Sequence, residues 1–277
     1  MKKIAVLYIC IGRYSVMWEG FYESSKRHFF KNNDVNYFVF TDSDTLKYKD
    51  SSDVKIIKER DYGWPGNTLY RFRMFDSIKE HLIKYDYAYF FNANAFFVKD
   101  VDEDIEPNEK QQLVLAQHFK MINKNPIRYG YDRNKKSKAY VKWGYEGKDY
   151  IQACFIGATA KEMVKLSEQL SQNISQDDNN NVVAKWHDES HLNKYIIDRD
   201  YKLLSVSYVY PEVLNLPIAI NILMRDKNKF ADLSVLRYGK KSLKRVILQK
   251  TVNQLIKIRI TFYIILSKLG MIKKRGK

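Results

Sequence analysis

An α/β domain built on a largely parallel central sheet is the fold class this sequence predicts. Continuous apolar runs rich in aromatic and β-branched residues (IAVLYIC, NYFVFTD and YAYFFNA) alternate with helical segments, and polar residues gather where one of those runs ends.

IAVLYIC (4–10) reads as a buried first strand, and residues 16–31 as a helix packing back on it. NYFVFTD (36–42) and DVKIIKE (53–59) read as the next two strands. Trp64-Pro65-Gly66-Asn67-Thr68 is a turn that caps a helix running to about Tyr85. YAYFFNA (87–93) is another buried strand. Past residue 110 the pattern becomes mixed: LVLAQHF (113–119) and DYIQACFIGA (149–158) read as strands and 160–171 as a helix. The polar stretch SQDDNNN reads as a loop, and a last helix begins near Asp188. In open sheets of this kind ligands sit outside the carboxyl ends of the strands, where Asn92 and Asn94 fall.

With 277 residues, 45% of them hydrophobic, the chain has the makings of a substantial core. Its two cysteines, Cys10 and Cys154, lie far apart in apolar surroundings, which argues against a disulfide framework or a cysteine-based zinc site. Met1-Lys2-Lys3 leads straight into the first strand, so no signal peptide or membrane anchor is expected there, and a cytosolic setting is the default. The net charge of +16 is uneven. Residues 241–277 hold 11 Lys or Arg and no acid, leaving +5 for the first 240. Nucleic-acid binding is therefore not needed to explain the charge.

The chain accordingly divides into a main α/β domain at 1–236 and a basic tail at 237–277. The tail's apolar residues (Leu255, Ile256, Ile258, Ile260, Phe262, Ile265, Leu266, Leu269) are interrupted by Lys257, Arg259 and Lys268. Spanning a bilayer takes roughly 20 mostly apolar residues, which this segment lacks. A basic amphipathic helix lying on an anionic membrane surface is the preferred reading, with a helix docked on the protein as the alternative.

Two segments concentrate polar chemistry. In FFNANAFF (90–97) a strand ends in Asn92 and Asn94, whose i, i+2 spacing puts both side chains on one face of an extended strand. Taken alone, such a pair most often caps a turn. Amides are weak ligands for hard divalent cations, which prefer anionic oxygens. In WHDESHLNKY (186–195) two imidazoles, two carboxylates and a hydroxyl crowd a helix start, where Asp188 could serve merely as a cap.

Together these segments resemble glycosyltransferase family 6, the family of the histo-blood-group A and B transferases, the α1,3-galactosyltransferases and their bacterial relatives. WHDESHLNKY, Asn92-Ala93-Asn94 in its strand, WPGNTLYRF and LMRDKNKF carry the resemblance over about residues 4–230. It implies the GT-A fold and a retaining transferase. It further implies Glu189 facing the anomeric carbon as nucleophile or electrostatic stabiliser, with Asp188 on donor-sugar hydroxyls and Trp186 and His187 lining the sugar and acceptor pocket. His191 is expected to be structural. Gln152 and Cys154 fall at the family's donor-specificity positions, and Cys154, bulkier than Gly, favours galactose over N-acetylgalactosamine. His118 matches the acceptor-contacting His, though without the usual His-Pro-Gly context. Tyr131 and Arg133 fall in the segment corresponding to an active-site loop.

For the nucleotide, the resemblance implies Cys10, Ile11 and Tyr14 around the uracil, with Asn92 and Asn94 on sugar hydroxyls. Arg71, Arg225, Lys227 and Lys229 would stand near the phosphates, although RDKNK alone would read as a solvated turn. Where most GT-A enzymes hold Mn²⁺ with two carboxylates, this chain has amides, so no divalent metal is expected. The expected activity is transfer of galactose from UDP-galactose, with retention, to the 3-hydroxyl of a terminal galactose. That acceptor is expected to be a lipid-linked surface oligosaccharide, with the enzyme peripheral at the inner face of the cytoplasmic membrane. An N-acetylgalactosaminyltransferase using UDP-GalNAc is the alternative, followed by a non-catalytic carbohydrate-binding protein.

Overall fold

The computed structural model describes residues 1–230, 232, 235 and 243–271, with backbone only for 243–246. A seven-stranded sheet forms its centre. In chain order its strands are β1 (Lys3–Ile9), β2 (Asp34–Thr41), β3 (Val54–Lys58), β4 (Tyr87–Phe91), β6 (Leu113–Gln117), β7 (Ile151–Thr159) and β8 (Lys202–Leu204). Their spatial order is β3-β2-β1-β4-β7-β6-β8. β1, β2, β3 and β4 are parallel, as are β6 and β8, whereas β7 runs against both of its neighbours. A small second sheet joins β5 (Ala95–Phe97), β9 (Tyr210–Pro211) and β10 (Ile222–Met224). The expected mixed α/β class with a mostly parallel sheet is what forms.

The apolar runs are continuous because both faces of the sheet are covered. Ile4, Val6 and Tyr8 of β1 pack with Trp18 and Phe21 of α1 (Trp18–His28), while Ala5 and Leu7 face the opposite cluster. There they meet Phe72 and Phe75 of α3 (Arg71–Asp76) and Met163, Leu166 and Leu170 of α5 (Ala160–Asn179). Gly157 of β7 pairs with Tyr89, and a Cβ at Gly157 would lie 2.6 Å from that ring. A bare backbone lets the Tyr89 side chain lie across the strand.

Two elements differ from expectation. The single helix expected up to Tyr85 is three short ones: α2 (Gly63–Leu69), α3 and α4 (Lys79–Leu82), broken at Tyr70 and at Ser77-Ile78. In the other direction, SQDDNNN is mostly helical, since α5 continues to Asn179. Buried Asp177 accepts from Ser137 Oγ (2.6 Å) and Lys138 N (2.7 Å), and those tertiary bonds outweigh the local preference of Asp and Asn for turns.

The boundary drawn at 236/237 lies outside the described residues. The tail helix α7 (Leu243–Lys268) packs one face on the protein: Ile260 is buried among Phe119, Val206, Tyr210 and Leu214, with Ile256, Tyr263 and Ile264 around it. Burying Ile260 contributes about 1.5–3 kcal/mol. Arg259 Nη2 donates to Lys120 O at 2.7 Å. The helix is thus docked, yet its far face leaves Leu248, Leu255, Ile258, Phe262, Ile265 and Leu269 exposed. No helix among the described residues is long and apolar enough to cross a membrane.

Candidate active site

β1 lies between β2 and β4, so chain connections diverge on either side of it, and a crevice opens at the carboxyl ends of β1 and β4. A cavity of about 430 Å³ occupies this place. Ile9, Ile11, Gly12 and Tyr14 line it from the end of β1, Phe90, Asn92 and Ala93 from the end of β4, and Trp64, Asn67 and Arg71 from the α2–α3 segment. Lys227 also lines it and lies 5.1 Å from the Tyr14 ring centroid.

Beside this cavity, β7 carries an irregularity. Pairing with β6 shifts register between Leu115 and Gln117, so that residues 152–155 oppose Ala116 alone. Such a bulge leaves backbone groups without ladder partners. Ala153 is one case: its N–H donates to Glu189 Oε2 at 3.1 Å, and its carbonyl accepts from Arg71 Nη1. One peptide residue therefore ties together the carboxylate of α6 (Asp188–Tyr195) and the guanidinium of α3.

Asn193 fixes α6 against the same strand. Its side chain accepts from Ile151 N (2.8 Å) and donates to Ile151 O (2.9 Å) and to Glu189 O (2.9 Å), fully buried throughout. At the N-terminus of α6, His187 has φ +53° and ψ −128°, an unfavourable conformation for a residue with a Cβ. Its ring stands edge-on to Trp64 at 5.2 Å, joining the helix start to the cavity wall.

Electrostatics at the helix start are dominated by burial. Asp188 Oδ2 lies 3.2 Å from Arg71 Nε, but neither atom is aligned for a hydrogen bond. Burial lifts the Asp188 carboxyl to about 6 against the opposing pull of Arg71. Burial lifts Glu189 further, to about 8; the Ala153 N–H opposes the rise and the Asp188 charge adds to it. The Glu189 side chain keeps 19% exposure, so it remains reachable. Across from it, His118 Nε2 is 3.9 Å from Glu189 Oε1. Burial, then the Lys120 charge, pushes His118 down to about 3. Its Nδ1 accepts from Lys120 N at 3.0 Å, so neutral His118 carries its proton on Nε2, toward Glu189.

Cys154 is buried one residue beyond Ala153, its thiol pushed up to about 12 by burial and then by Glu189. Gln152 Oε1 is buried without a hydrogen-bond partner. Trp186 is half exposed, its ring against Gly130, where a Cβ would meet Nε1 at 2.8 Å.

Several expected positions behave differently. β4 ends at Phe91, and Asn92 to Asn94 form a turn, so the same-face expectation fails. Asn92 lines the cavity, whereas Asn94 donates from Nδ2 to Arg225 O (2.7 Å) and accepts from Arg225 N at its own carbonyl (2.9 Å). Arg225 turns inward, donating to Met17 O at 3.1 Å and lying against Gly20 of α1. Lys229 pairs with Glu212 at 2.7 Å instead of joining the cavity lining. Cys10 is a core residue whose carbonyl accepts from Thr41 Oγ1, leaving Ile11 and Tyr14 at the cavity. Tyr131 is buried and Arg133 is bound to Glu146 and Val141 O within its own loop. His191 is buried 3.5 Å from Asp177, away from the cavity lining.

Asp61 and Asn67 also line the cavity and were not anticipated. Asp61 Oδ1 accepts from Gly63 N and Asn67 Nδ2, both at 2.7 Å. The Asp61…Asn67 spacing around a Trp-Pro turn is a signal for this linkage, but not for its proximity to β1. Asn193 stands in the WHDESHLNKY signature, but the sequence assigns it no role.

A strand-end crevice beside a buried carboxylate pair is where an α/β fold of this class binds its ligand, with an acid–base or charge-stabilising group at hand. The profile described as "Glycosyltransferase family 6" matches residues 2–235, and the chain belongs to that family. It is 34% identical to the O-antigen biosynthesis glycosyltransferase WbnI of Escherichia coli over 227 residues, 82% of this chain and 95% of that protein. It is 28% identical to histo-blood group ABO system transferase 1 of Rattus norvegicus over 221 residues, 76% of this chain and 62% of the relative. Globoside alpha-1,3-N-acetylgalactosaminyltransferase 1 of Gallus gallus is 24% identical over 219 residues, again 76% of this chain and 62% of the relative. The chain is therefore a hexosyltransferase, for which the family implies a nucleotide-sugar donor and an oligosaccharide acceptor.

Proposed function

We propose that this enzyme transfers galactose from UDP-galactose, with retention, to the 3-hydroxyl of a terminal galactose on a surface oligosaccharide. One observation carries the reading: Glu189 and Arg71 are bonded to the two sides of Ala153, so the carboxylate stands beside the cavity that Arg71 lines. UDP would lie over Ile11 and Tyr14, with its phosphates toward Arg71 and Lys227. As the bond from the anomeric carbon to UDP breaks, Glu189 supplies negative charge to the developing cation, and the cations take up the leaving-group charge. Asp188 Oδ2, without a hydrogen-bond partner, can accept a donor-sugar hydroxyl. His118 Nε2–H would orient the acceptor.

Metal independence belongs to this proposal. The amide pair does not fit a divalent cation: both side chains are neutral, and Asn94 Nδ2 is committed to a backbone carbonyl. Among the described residues no group of three His, Cys, Asp or Glu side chains converges as a ligand set. Buried Cys154 favours galactose by bulk. The kinship to globoside N-acetylgalactosaminyltransferases supports the second reading, UDP-GalNAc as donor. Similarity to an O-antigen biosynthesis glycosyltransferase supports a surface-oligosaccharide acceptor, and the exposed apolar face of α7 supports an enzyme peripheral at the cytoplasmic face of the membrane, where that acceptor would be lipid-linked. An acceptor-array assay with both donors in excess EDTA tests all three parts. Turnover of UDP-galactose in chelator supports the proposal, and a strict Mn²⁺ requirement or preferred use of UDP-GalNAc refutes the corresponding part.

A further inference from the structure

A second cavity, of about 370 Å³, lies where the docked tail helix meets the loop after β6. Its lining is Asn123, Lys124, Asn125, Ile127, Arg128 and Arg259: three cations and no carboxylate. No ion pair between Arg128 or Arg259 and a carboxylate forms among the described residues. Arg259 Nε is buried with no hydrogen-bond partner, although Nη2 is fixed on Lys120 O. Burial, then the charges of Arg259, Lys120 and Arg128, lowers the Lys124 ammonium below its ordinary value. Arg128 and Arg259 thus bring positive charge to a lining that holds no carboxylate.

What surrounds this cavity identifies its occupant. Leu255 and Phe262 stand at i−4 and i+3 from Arg259, on the same side of α7, and both are exposed. With Leu248, Ile258, Ile265 and Leu269 they form a stripe repeating every three or four residues, opposite the docked Ile260. Ile127 at the cavity rim is exposed as well. A soluble anion would need the cations but not the stripe. A bilayer surface uses both, since phosphates lie at headgroup level and apolar side chains reach below them.

We propose that Lys124, Arg128 and Arg259 form a binding site for the phosphate of an anionic phospholipid headgroup, seated beside the apolar stripe of α7. The proposal deepens the membrane part of the functional reading and rests on it. Its consequence is orientation. Arg259 is bonded to Lys120, and Lys120 N to His118, so the lipid site and the acceptor side of the cleft hang on one turn. An acceptor carried on a membrane lipid would then approach His118 from the surface that holds the enzyme.

The test is co-sedimentation of the full chain with phosphatidylcholine vesicles, with and without phosphatidylglycerol. The wild type is expected to bind the phosphatidylglycerol vesicles more tightly. Lys124→Gln/Arg128→Gln, with an unchanged thermal midpoint, should weaken that binding roughly 30-fold, the loss expected for two surface cations. Arg128→Gln alone, at an exposed position, should weaken it about fivefold. Leu255→Ser/Phe262→Ser should weaken binding to both vesicle types. Unchanged binding by the two cation variants overturns the lipid site while leaving the membrane reading intact. If the wild type binds neither vesicle, the membrane reading itself fails. Full displacement from vesicles by inorganic phosphate at constant ionic strength would assign the cavity to soluble anions and overturn the lipid assignment.

Discussion

Asn193 closes on Glu189 one helical turn behind it, its Nδ2 2.9 Å from the Glu189 carbonyl, while the same amide holds both backbone groups of Ile151. The position of the carboxylate is therefore set by strand and helix jointly. Asn193→Ala leaves buried N–H and C=O groups unpaired, each costing about 1–3 kcal/mol. The expected outcome is a loss of a few kcal/mol in denaturant unfolding together with a fall in kcat. A helix that merely lends stability would show the first effect without the second, once measured well below the unfolding transition.

Glu189 should leave a signature in stability against pH. Its carboxyl is raised by burial from 4.5 to about 8 in the folded state, so the folded protein holds a proton the unfolded chain has already lost. That contribution is complete below about 4.5 and disappears as pH rises through 8. The thermal midpoint of the wild type should fall across this window, and Glu189→Gln should flatten the fall. Since the ionised form is the one that steadies a cationic sugar, kcat/KM should rise over the same interval. Glu189→Gln should cost activity about 100-fold or more. A variant with wild-type turnover would remove Glu189 from the mechanism.

Lys227 and Lys229 are two residues apart but do different things. Lys227 lines the cavity beside Tyr14, whereas Lys229 is exposed and paired with Glu212. A hydrogen bond to a charged group contributes about 1.5–3 kcal/mol. Lys227→Ala is therefore expected to raise KM for the nucleotide sugar by about tenfold or more, and Lys229→Ala to leave it nearly unchanged. Equal effects would place the phosphates elsewhere.

Cys154→Gly should open space next to Glu189 and shift the ratio of UDP-GalNAc to UDP-galactose use upward by about tenfold or more, since a group of this size is worth roughly 1–3 kcal/mol. Competition kinetics with mixed donors measure the ratio directly. An unchanged ratio would mean that Cys154 does not touch the N-acetyl position.

Local patterning made the strands and the two polar segments legible, because apolar runs and their polar ends are consecutive in sequence. Which side chains face the cavity was less legible. Asn94 and Arg225 have the right identities, but each is turned inward by a partner distant in sequence, the Arg225 carbonyl and Met17 O, and Cys10 is simply buried in the core. The bulge that frees Ala153 depends on register between β6 and β7, which neither strand encodes alone. The SQDDNNN segment shows the same competition, with turn-forming residues held helical by what Asp177 touches.

The bond between Asn94 and the Arg225 carbonyl has a bearing on redesign. An aspartate at 94 would bring a carboxylate oxygen to where an amide nitrogen now sits, 2.7 Å from another lone-pair oxygen. Placing an acidic pair at 92 and 94 is thus not a matter of swapping two letters. The segment after β10 that bears Arg225 would have to be re-seated first, and the inward lock of that guanidinium on Met17 O and against α1 opposes it.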